Sequence, residues 1–342
     1  VGNNTPVALA NGHYVVLSSG WQSGANDGAG AVTWGNGSTG TVGVVSPTNS
    51  LVGTQSDDTV GASVLALSNG NYVALSTQWR NGTATQAGAA TPCSGTGPSP
   101  VGAVSVANSL VGTTSGDQVG STSAEVGNSN YVIGSISWDN GALSNAGMIA
   151  WGNGVTGIVG PVSAANALVG SNANENVGNG VALLTNGNYL VPLPSWSSPV
   201  SVAVGAVAFG LGNGGVTGPV SSVNSMVGNA TNDRVGITGA VALPNGNYIV
   251  GSPDFDNGGT ASNAGVLAFG NGTTGTVGAL SSAKALVGST ANDKVGSIGI
   301  DGSIETFTDG SVLVISRKWD NGSTVDAGAG TFLPAATSLT GG

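Results

Sequence analysis

The side chains in this sequence that are best suited to bind a ligand are large aromatic rings and carboxylates, and both recur along the chain. The ring series consists of Trp21, Trp79, Trp138, Trp196, Phe255 and Trp319. The carboxylates that accompany it are Asp58, Asp117, Asp139, Asp233, Asp256, Asp293 and Asp320. Rings together with carboxylates and amides suit the recognition of sugars or of cationic partners. We therefore expect a ligand-binding face; the alternative is an acidic rim that keeps a sparsely charged protein soluble.

Groups that could act as nucleophiles or general bases are scarce. The sequence has one histidine, His13, and one cysteine, Cys93. His13 stands where Asn is usual in comparable Asn-Gly turns, which predicts a turn residue, and Cys93 lies in an irregular segment rich in Pro, Ser and Gly. Acid-base and nucleophilic catalysis usually draw on His, Cys, Lys or paired carboxylates. We predict a protein without catalytic residues; an enzyme acting on glycans through two carboxylates ranks below this.

Composition and charge limit the classes of partner and of fold. Of the 342 residues 61 are glycine, 39% are hydrophobic and only 6% are charged, with a net charge of −10. Many glycines break long helices, and the apolar content is too high for disorder, so a turn-rich β protein is expected. Six scattered basic residues do not form the clusters that neutralise phosphates. We expect neither nucleic-acid binding nor insertion into a membrane.

The elements that must position these groups come from a tandem repeat. A strand-initiating tyrosine recurs after a turn every 58 or 59 residues, at Tyr14, Tyr72, Tyr131, Tyr189 and Tyr248, and Val312 continues the series. The second ring follows seven residues later, and a third ring follows at Trp34, Trp151, Phe209, Phe269 and Phe332, with Pro92 in its place once. Such periods indicate a repeat architecture. We place six repeats at approximately 1–53, 54–112, 113–170, 171–228, 229–288 and 289–342, in one domain.

Each repeat is predicted to be an antiparallel meander of strands A to D. Strand A corresponds to 60–67, strand B to 72–76, strand C to 29–34 and strand D to 41–52 in the copies where each is clearest. Asn-Gly at the A to B connection accepts the positive φ of a tight hairpin. Six such meanders predict a six-bladed β-propeller, with a β-helix as the rival. Strand alternation then places the B to C and D to A loops, which hold 12 of the 16 acids, on one face.

The order of short blocks along the repeat resembles FG-GAP repeats of the integrin α type, and the resemblance covers all six repeats. The blocks are Val295-Gly296-Ser297, Asn245-Gly246-Asn247-Tyr248, Gly251-Ser252-Pro253, Ala264-Gly265-Val266 and Leu286-Val287-Gly288-Ser289-Thr290-Ala291-Asn292-Asp293. The resemblance implies a propeller whose B to C and D to A loops bind ligands. That family's calcium loop is represented here by turns without carboxylates, and hard cations need several oxygen ligands. We therefore expect no cofactor and no calcium at these turns.

The expected role is adhesion or recognition outside the cell. The composition, rich in Gly and Asn and poor in Lys, resembles repeat regions of large secreted bacterial adhesins of the filamentous haemagglutinin kind, and few Lys or Arg residues leave few sites for trypsin-type proteases. The expected partners are glycans or proteins on another surface, or copies of the same chain. The alternative is a structural subunit of an extracellular fibre or sheath. Loss of glycan binding in Trp79→Ala or Trp138→Ala would support a lectin.

Overall fold

The computed structural model describes residues 2 and 5–335, and the chain is all-β over this range, as predicted. Its helical content is one short 3₁₀ turn, Asn257–Gly259. Within the described residues no helix has the length and hydrophobicity needed to cross a membrane. The contacts divide the chain into two compact units. Unit 1 comprises Val1–Asn179 with Gly212–Gly218, and unit 2 comprises Gly180–Leu211 with Pro219–Gly342.

Among its described residues, unit 1 contains fourteen complete strands. In chain order they are β1 (Val7–Ala8), β2 (Tyr14–Ser18), β3 (Ala31–Gly35), β4 (Ser50–Val52), β5 (Ser63–Ala66), β6 (Tyr72–Ser76), β7 (Ala89–Cys93), β8 (Gly102–Ala103), β9 (Leu110–Val111), β10 (Thr122–Val126), β11 (Asn130–Ser135), β12 (Met148–Gly152), β13 (Gly160–Pro161) and β14 (Ala167–Val169). The first sheet has the order β1-β2-β3-β4-β8, and the second has the order β5-β6-β7-β9-β13. The third begins β10-β11-β12-β14.

Unit 2 repeats this arrangement. Its strands are β15 (Ala182–Leu183), β16 (Tyr189–Leu193), β17 (Ala206–Gly210), β19 (Ser225–Val227), β20 (Ala240–Ala242), β21 (Tyr248–Ser252), β22 (Val266–Gly270), β23 (Gly278–Ala279), β24 (Ala285–Val287), β25 (Gly302–Thr306), β26 (Val312–Ser316) and β27 (Ala329–Leu333). Strand β18 (Gly218–Pro219) lies where the chain passes from one unit to the other. The sheet orders are β15-β16-β17-β19-β23, β20-β21-β22-β24 and β25-β26-β27.

The A to B hairpins form as the Asn-Gly turns predict. In the second repeat the Leu67 N–H donates to the Asn71 carbonyl at 2.9 Å, and the Gly70 N–H donates to the Leu67 carbonyl at 2.9 Å. Gly70 has a φ of +88°, which glycine adopts without steric cost. The turn sets the register in which Ala66 lies opposite Tyr72. Strand B begins at this tyrosine, as the sequence indicates.

Strand D is the element that the sequence misassigns. The segment predicted as one strand, 41–52, forms a strand only at Ser50–Val52. In the second repeat the corresponding segment contains two separate strands, β8 and β9. Strand β8 pairs in parallel with β4 of the preceding repeat, whereas β9 pairs antiparallel with β7 of its own repeat. The connection from C to D therefore crosses to the preceding sheet. The counterpart of this segment at the end of the last repeat lies outside the described residues.

Successive sheets within each unit share hydrophobic cores. In unit 1, Leu9 and Val15 of the first repeat join Tyr72, Trp79 and neighbouring residues of the second in one buried cluster. Strand alternation explains this arrangement, because side chains at i and i+2 face one neighbouring sheet while those between them face the other. The middle sheet of each unit is consequently buried on both sides. The core lies between the sheets, and the loops at the strand ends carry the candidate site.

Candidate functional site

Four carboxylates predicted to face ligand are instead completely buried: Asp58, Asp117, Asp233 and Asp293. Asp117 shows how each is held. Its Oδ2 accepts hydrogen bonds from the backbone N–H groups of Thr113 at 2.7 Å and Thr114 at 2.8 Å. Its Oδ1 accepts the N–H of Asp139, directly after the second ring, at 3.1 Å. The carboxylate thus joins the D to A loop to the B to C loop of one repeat.

The same three contacts recur at the other buried aspartates. Their Oδ2 atoms accept backbone N–H groups from Thr54 and Gln55, from Asn229 and Ala230, and from Ser289 and Thr290. Their Oδ1 atoms accept backbone N–H groups from Arg80, Asp256 and Asp320. In the fourth repeat the position is held by Glu175, which accepts the Ser171 N–H at 2.6 Å. Repeated internal contacts of this kind indicate a structural role.

The electrostatic environment differs among these carboxyl groups. Burial raises the pKa of Asp117 and of Asp233 above the ordinary value of 3.8, against the effect of their backbone hydrogen bonds. At Asp293 burial also disfavours the charged form, but hydrogen bonds from Thr290 and from backbone N–H groups outweigh it and hold the pKa below 3.8. The hydroxyl of Thr290 donates to Asp293 Oδ1 at 2.6 Å. A carboxylate is stabilised most where donors surround it.

The three half-buried aspartates of the predicted set shape the B to C loop. Asp139, Asp256 and Asp320 directly follow the second ring. Their Oδ1 atoms each accept one backbone N–H from the far side of the loop, at 2.8 Å, from Asn145, Asn263 and Asp326. Each therefore closes its loop on itself. At Asp320 the second carboxylate oxygen, Oδ2, also lies within hydrogen-bond distance of the Thr290 hydroxyl, at 3.2 Å.

The ring series divides by exposure. Trp79, Trp138, Trp196 and Phe255 are buried, whereas Trp21 and Trp319 are half-buried. The four buried rings do not present a surface on which a ligand could stack, which corrects the expectation for these positions. Trp79 and Trp138 belong to the cores between sheets of unit 1, and Phe255 belongs to a core of unit 2. Accessible ring surface is thus found at Trp21 and Trp319.

A polar groove lies on the predicted ligand face of unit 1, between the D to A and B to C loops. Its volume is about 480 Å³, and its lining residues are Asp57, Gln78, Arg80, Thr85 and Gln86. The two glutamines bond to each other, with Gln86 Nε2 donating to Gln78 Oε1 at 2.8 Å. The sequence predicts the acidic loop face as a whole and does not distinguish this groove within it. The available signal was Arg80, the one basic residue directly after the ring in a series where Asp stands in three of the six copies.

The opposite loops contain a cavity of about 380 Å³, which includes Tyr72, Pro92, Cys93 and Tyr131 in its lining. It lies where Pro92 replaces the third ring of the repeat. Burial raises the pKa of the Cys93 thiol to about 12, so the reactive thiolate is scarce at neutral pH. His13 closes the A to B turn, because its carbonyl accepts the Leu9 N–H at 2.9 Å, and its Nδ1 accepts the Gly37 N–H of the C to D connection at 3.1 Å.

The Asn-Gly turns also connect neighbouring repeats, which the sequence did not reveal. In unit 1, Asn11 Nδ2 donates to the Gly95 carbonyl of the following repeat, and Asn69 Nδ2 donates to the Gly154 carbonyl, both at 2.8 Å. In unit 2, Asn186 Nδ2 donates to the Gly272 carbonyl at 2.6 Å. These amides therefore serve as bridges between repeats. Across the described residues, no three His, Cys, Asp or Glu side chains assemble into a group that could hold a metal ion.

Comparison with known sequences agrees with the repeat period. No curated protein matches the chain at a significant level. A family described as a repeat of unknown function, DUF5650, matches six consecutive segments, 8–62, 66–121, 125–179, 183–237, 242–297 and 306–342. The prediction of six tandem repeats is thereby confirmed, and together the six segments cover most of the sequence. The chain belongs to the DUF5650 repeat family.

Proposed function

We propose that this protein is a non-enzymatic recognition or adhesion module, secreted or displayed on a cell surface, that binds a polar ligand at the loop face. The groove around Arg80 supports the proposal most directly. Its walls combine one guanidinium, one carboxylate, two amides and one hydroxyl. Such a set can donate and accept hydrogen bonds at several points, which is how proteins orient a polyhydroxylated ligand.

Arg80 differs from four of the other five basic side chains, the exception being Lys284. Arg234, Lys294 and Lys318 form ion pairs with Asp254, Asp301 and Asp326, and the Arg317 guanidinium donates to the Gly299 and Ile300 carbonyls. Over the described part of the chain, the Arg80 guanidinium makes no such bond, and its backbone N–H is the group fixed by Asp58. A guanidinium with free donors, on a fixed backbone, is suited to a carboxylate or to sugar hydroxyls.

The buried carboxylates contribute to recognition by fixing the loops. Asp58 holds the backbone of Arg80 at 3.1 Å and its own loop at 2.9 Å. Loops that are ordered before binding lose less conformational entropy when a ligand arrives. The ligand class proposed is therefore a glycan that offers hydroxyl or uronate groups. Hydroxyl and uronate groups can form hydrogen bonds with the groove side chains, and they need no contact with the rings that are buried in the core.

A glycan array carrying neutral and uronate-containing glycans, probed with the full chain with and without calcium, tests this proposal. Arg80→Ala should weaken binding by about tenfold or more, because a hydrogen bond to a charged group contributes roughly 1.5–3 kcal/mol. Arg317→Ala is the matched control, since it removes an exposed arginine from another loop. Failure of the folded wild type to bind any glycan, or equal binding by Arg80→Ala, would contradict the proposal.

Three finer features of the sequence interpretation bear on this proposal. A closed six-bladed propeller would require the last repeat to pack against the first within one chain, and it is the alternative to the association between chains inferred below. Kinship with FG-GAP repeats and the setting of a large adhesin would both accord with a loop face that binds ligands. The proposed groove needs only one repeat's B to C and D to A loops, so recognition there is independent of ring closure.

A further inference from the structure

The interface between consecutive repeats has a direction. Within each unit, a repeat uses one side of its sheet, here called the leading face, to contact the preceding repeat of that unit. Tyr72 and Trp79 lie on the leading face of the second repeat, in the core shared with the first. The other side, here called the trailing face, contacts the following repeat. Leu67 of the second repeat is on this side, in the core shared with Tyr131 of the third.

The last repeat exposes its trailing face. Phe307 takes the place of leucines that are buried in earlier repeats, such as Leu67 and Leu243, but is 43% exposed. Phe332 takes the place of the third ring and is 59% exposed, whereas Phe269 of the fifth repeat is 9% exposed. The two rings of the last repeat pack together, with centroids 6.1 Å apart. An aromatic pair is therefore open to solvent on this side.

The first repeat exposes its leading face. Tyr14 and Trp21 are half-buried there, although the equivalent Tyr72 and Trp79 of the second repeat are buried. A shallow cavity of about 120 Å³ beside Tyr14 has Val16 and Val45 in its lining. Its position corresponds to the surface that receives the preceding sheet in internal repeats.

A strand edge accompanies this cavity. The segment 43–44 corresponds to β8, β13 and β23, which pair in parallel with the preceding repeat at β4, β9 and β19. In the first repeat this segment forms no strand, and Val44 is 85% exposed. An unpaired edge of this kind offers backbone N–H and C=O groups to another chain. The leading face thus has both an apolar surface and a free edge.

We infer that the trailing face of the last repeat binds the leading face of the first repeat in a second copy of this chain. The contact continues the interface that already joins consecutive repeats within each unit. Terminal repeats of extended repeat proteins usually have polar outer faces, whereas both faces here carry aromatic and aliphatic side chains. Because the two faces differ, the contact is heterologous and adds copies head to tail. This inference is independent of the proposed recognition groove.

Sedimentation of the full chain over a range of concentrations tests the inference. The wild type should associate progressively, while Phe332→Lys and Val44→Lys should each remain monomeric. Both positions are exposed, so these variants should fold, and circular dichroism with thermal unfolding checks this. Val200→Lys is the matched control, because Val200 is 90% exposed and lies on the B to C loop of the fourth repeat. Its association should equal that of the wild type.

Mixing the two end variants provides the decisive observation. Phe332→Lys retains its leading face and Val44→Lys retains its trailing face, so the mixture should form dimers and stop there. A symmetric interface would not produce this complementation. A wild type that is monomeric at all concentrations, or variants that associate like the wild type, would overturn the inference. Formation of a disulfide within one chain by the double variant Val44→Cys, Phe332→Cys would also overturn it, in favour of a closed propeller.

Discussion

Replacement of Asp117 by Asn tests whether the regular loop carboxylates stabilise the fold or bind ligand. The wild-type carboxylate is completely buried and accepts three backbone N–H groups, from Thr113, Thr114 and Asp139. The Asn side chain has nearly the same shape but only one oxygen. That oxygen can remain with Thr113 and Thr114, which places the amide NH₂ group against the Asp139 N–H. One donor is then left without an acceptor.

The magnitude follows from these contacts. Losing one hydrogen bond to a charged group and leaving its donor unpaired costs roughly 1.5–3 kcal/mol. The variant also removes a charge whose burial is unfavourable, as the raised pKa of Asp117 shows, and this offsets part of the loss. We expect the free energy of unfolding to fall by about 2 kcal/mol for Asp117→Asn and by about 4 kcal/mol for Asp117→Ala, which strands all three donors.

Urea unfolding of the full chain, followed by tryptophan fluorescence and circular dichroism, measures the effect. Asp57→Asn is the control, because Asp57 is exposed and has a φ of +63°, a conformation that Asn tolerates. Its stability should stay within about 0.5 kcal/mol of the wild type. The structural interpretation would be refuted if Asp117→Asn were as stable as Asp57→Asn but had lost glycan or calcium binding.

Three further predictions use the same unfolding assay. Gly88→Ala should lower the free energy of unfolding by more than about 3 kcal/mol, and Gly82→Ala by about 1 kcal/mol. Both glycines have a positive φ, but only a Cβ added at Gly88 would meet a backbone atom, Val119 N, at 2.2 Å. Equal losses of stability would contradict this geometry. Trp138→Ala should cost about 3–5 kcal/mol, as expected for a buried ring, and Trp21→Ala clearly less; similar values would show that Trp138 is not part of the core. The pH dependence should have opposite signs at two sites. As pH falls toward 3.8, the wild type should gain stability relative to Asp117→Asn, because the folded state binds that proton more tightly. As pH falls below 3.8, it should lose stability relative to Asp293→Asn; parallel slopes would contradict the assigned pKa directions.

The local elements could be predicted from the sequence because their signals are local. Strand B and the A to B turn follow from β-branched and aromatic residues next to Asn-Gly, and they form at Tyr72–Ser76 and its counterparts. The division of strand D could not be predicted in the same way. Strand β8 is stabilised by pairing with β4, about fifty residues earlier. The residue pattern within one repeat does not indicate a partner strand in the preceding repeat.

The candidate site could be located by charge, but the direction of its carboxylates could not. The sequence does not distinguish an acidic loop residue that faces solvent from one that accepts backbone N–H groups. The spacing held a usable signal: Asp58, Asp117, Asp233 and Asp293 each stand five residues after the glycine of Leu-Val-Gly or Met-Val-Gly. At that distance a side chain can accept the N–H groups three and four residues before it. This local bonding is common for Asp and explains burial without a ligand.

The central claim is that recognition uses the groove around Arg80, while the regular carboxylates hold the loops in place. Its most direct test is the dissociation constant of Arg80→Ala, relative to the wild type and Arg317→Ala, for the glycan that binds best on the array. We predict a dissociation constant at least about tenfold higher for Arg80→Ala, unchanged stability, and no dependence on calcium. Calcium-dependent binding that Arg80→Ala retains in full would contradict the claim.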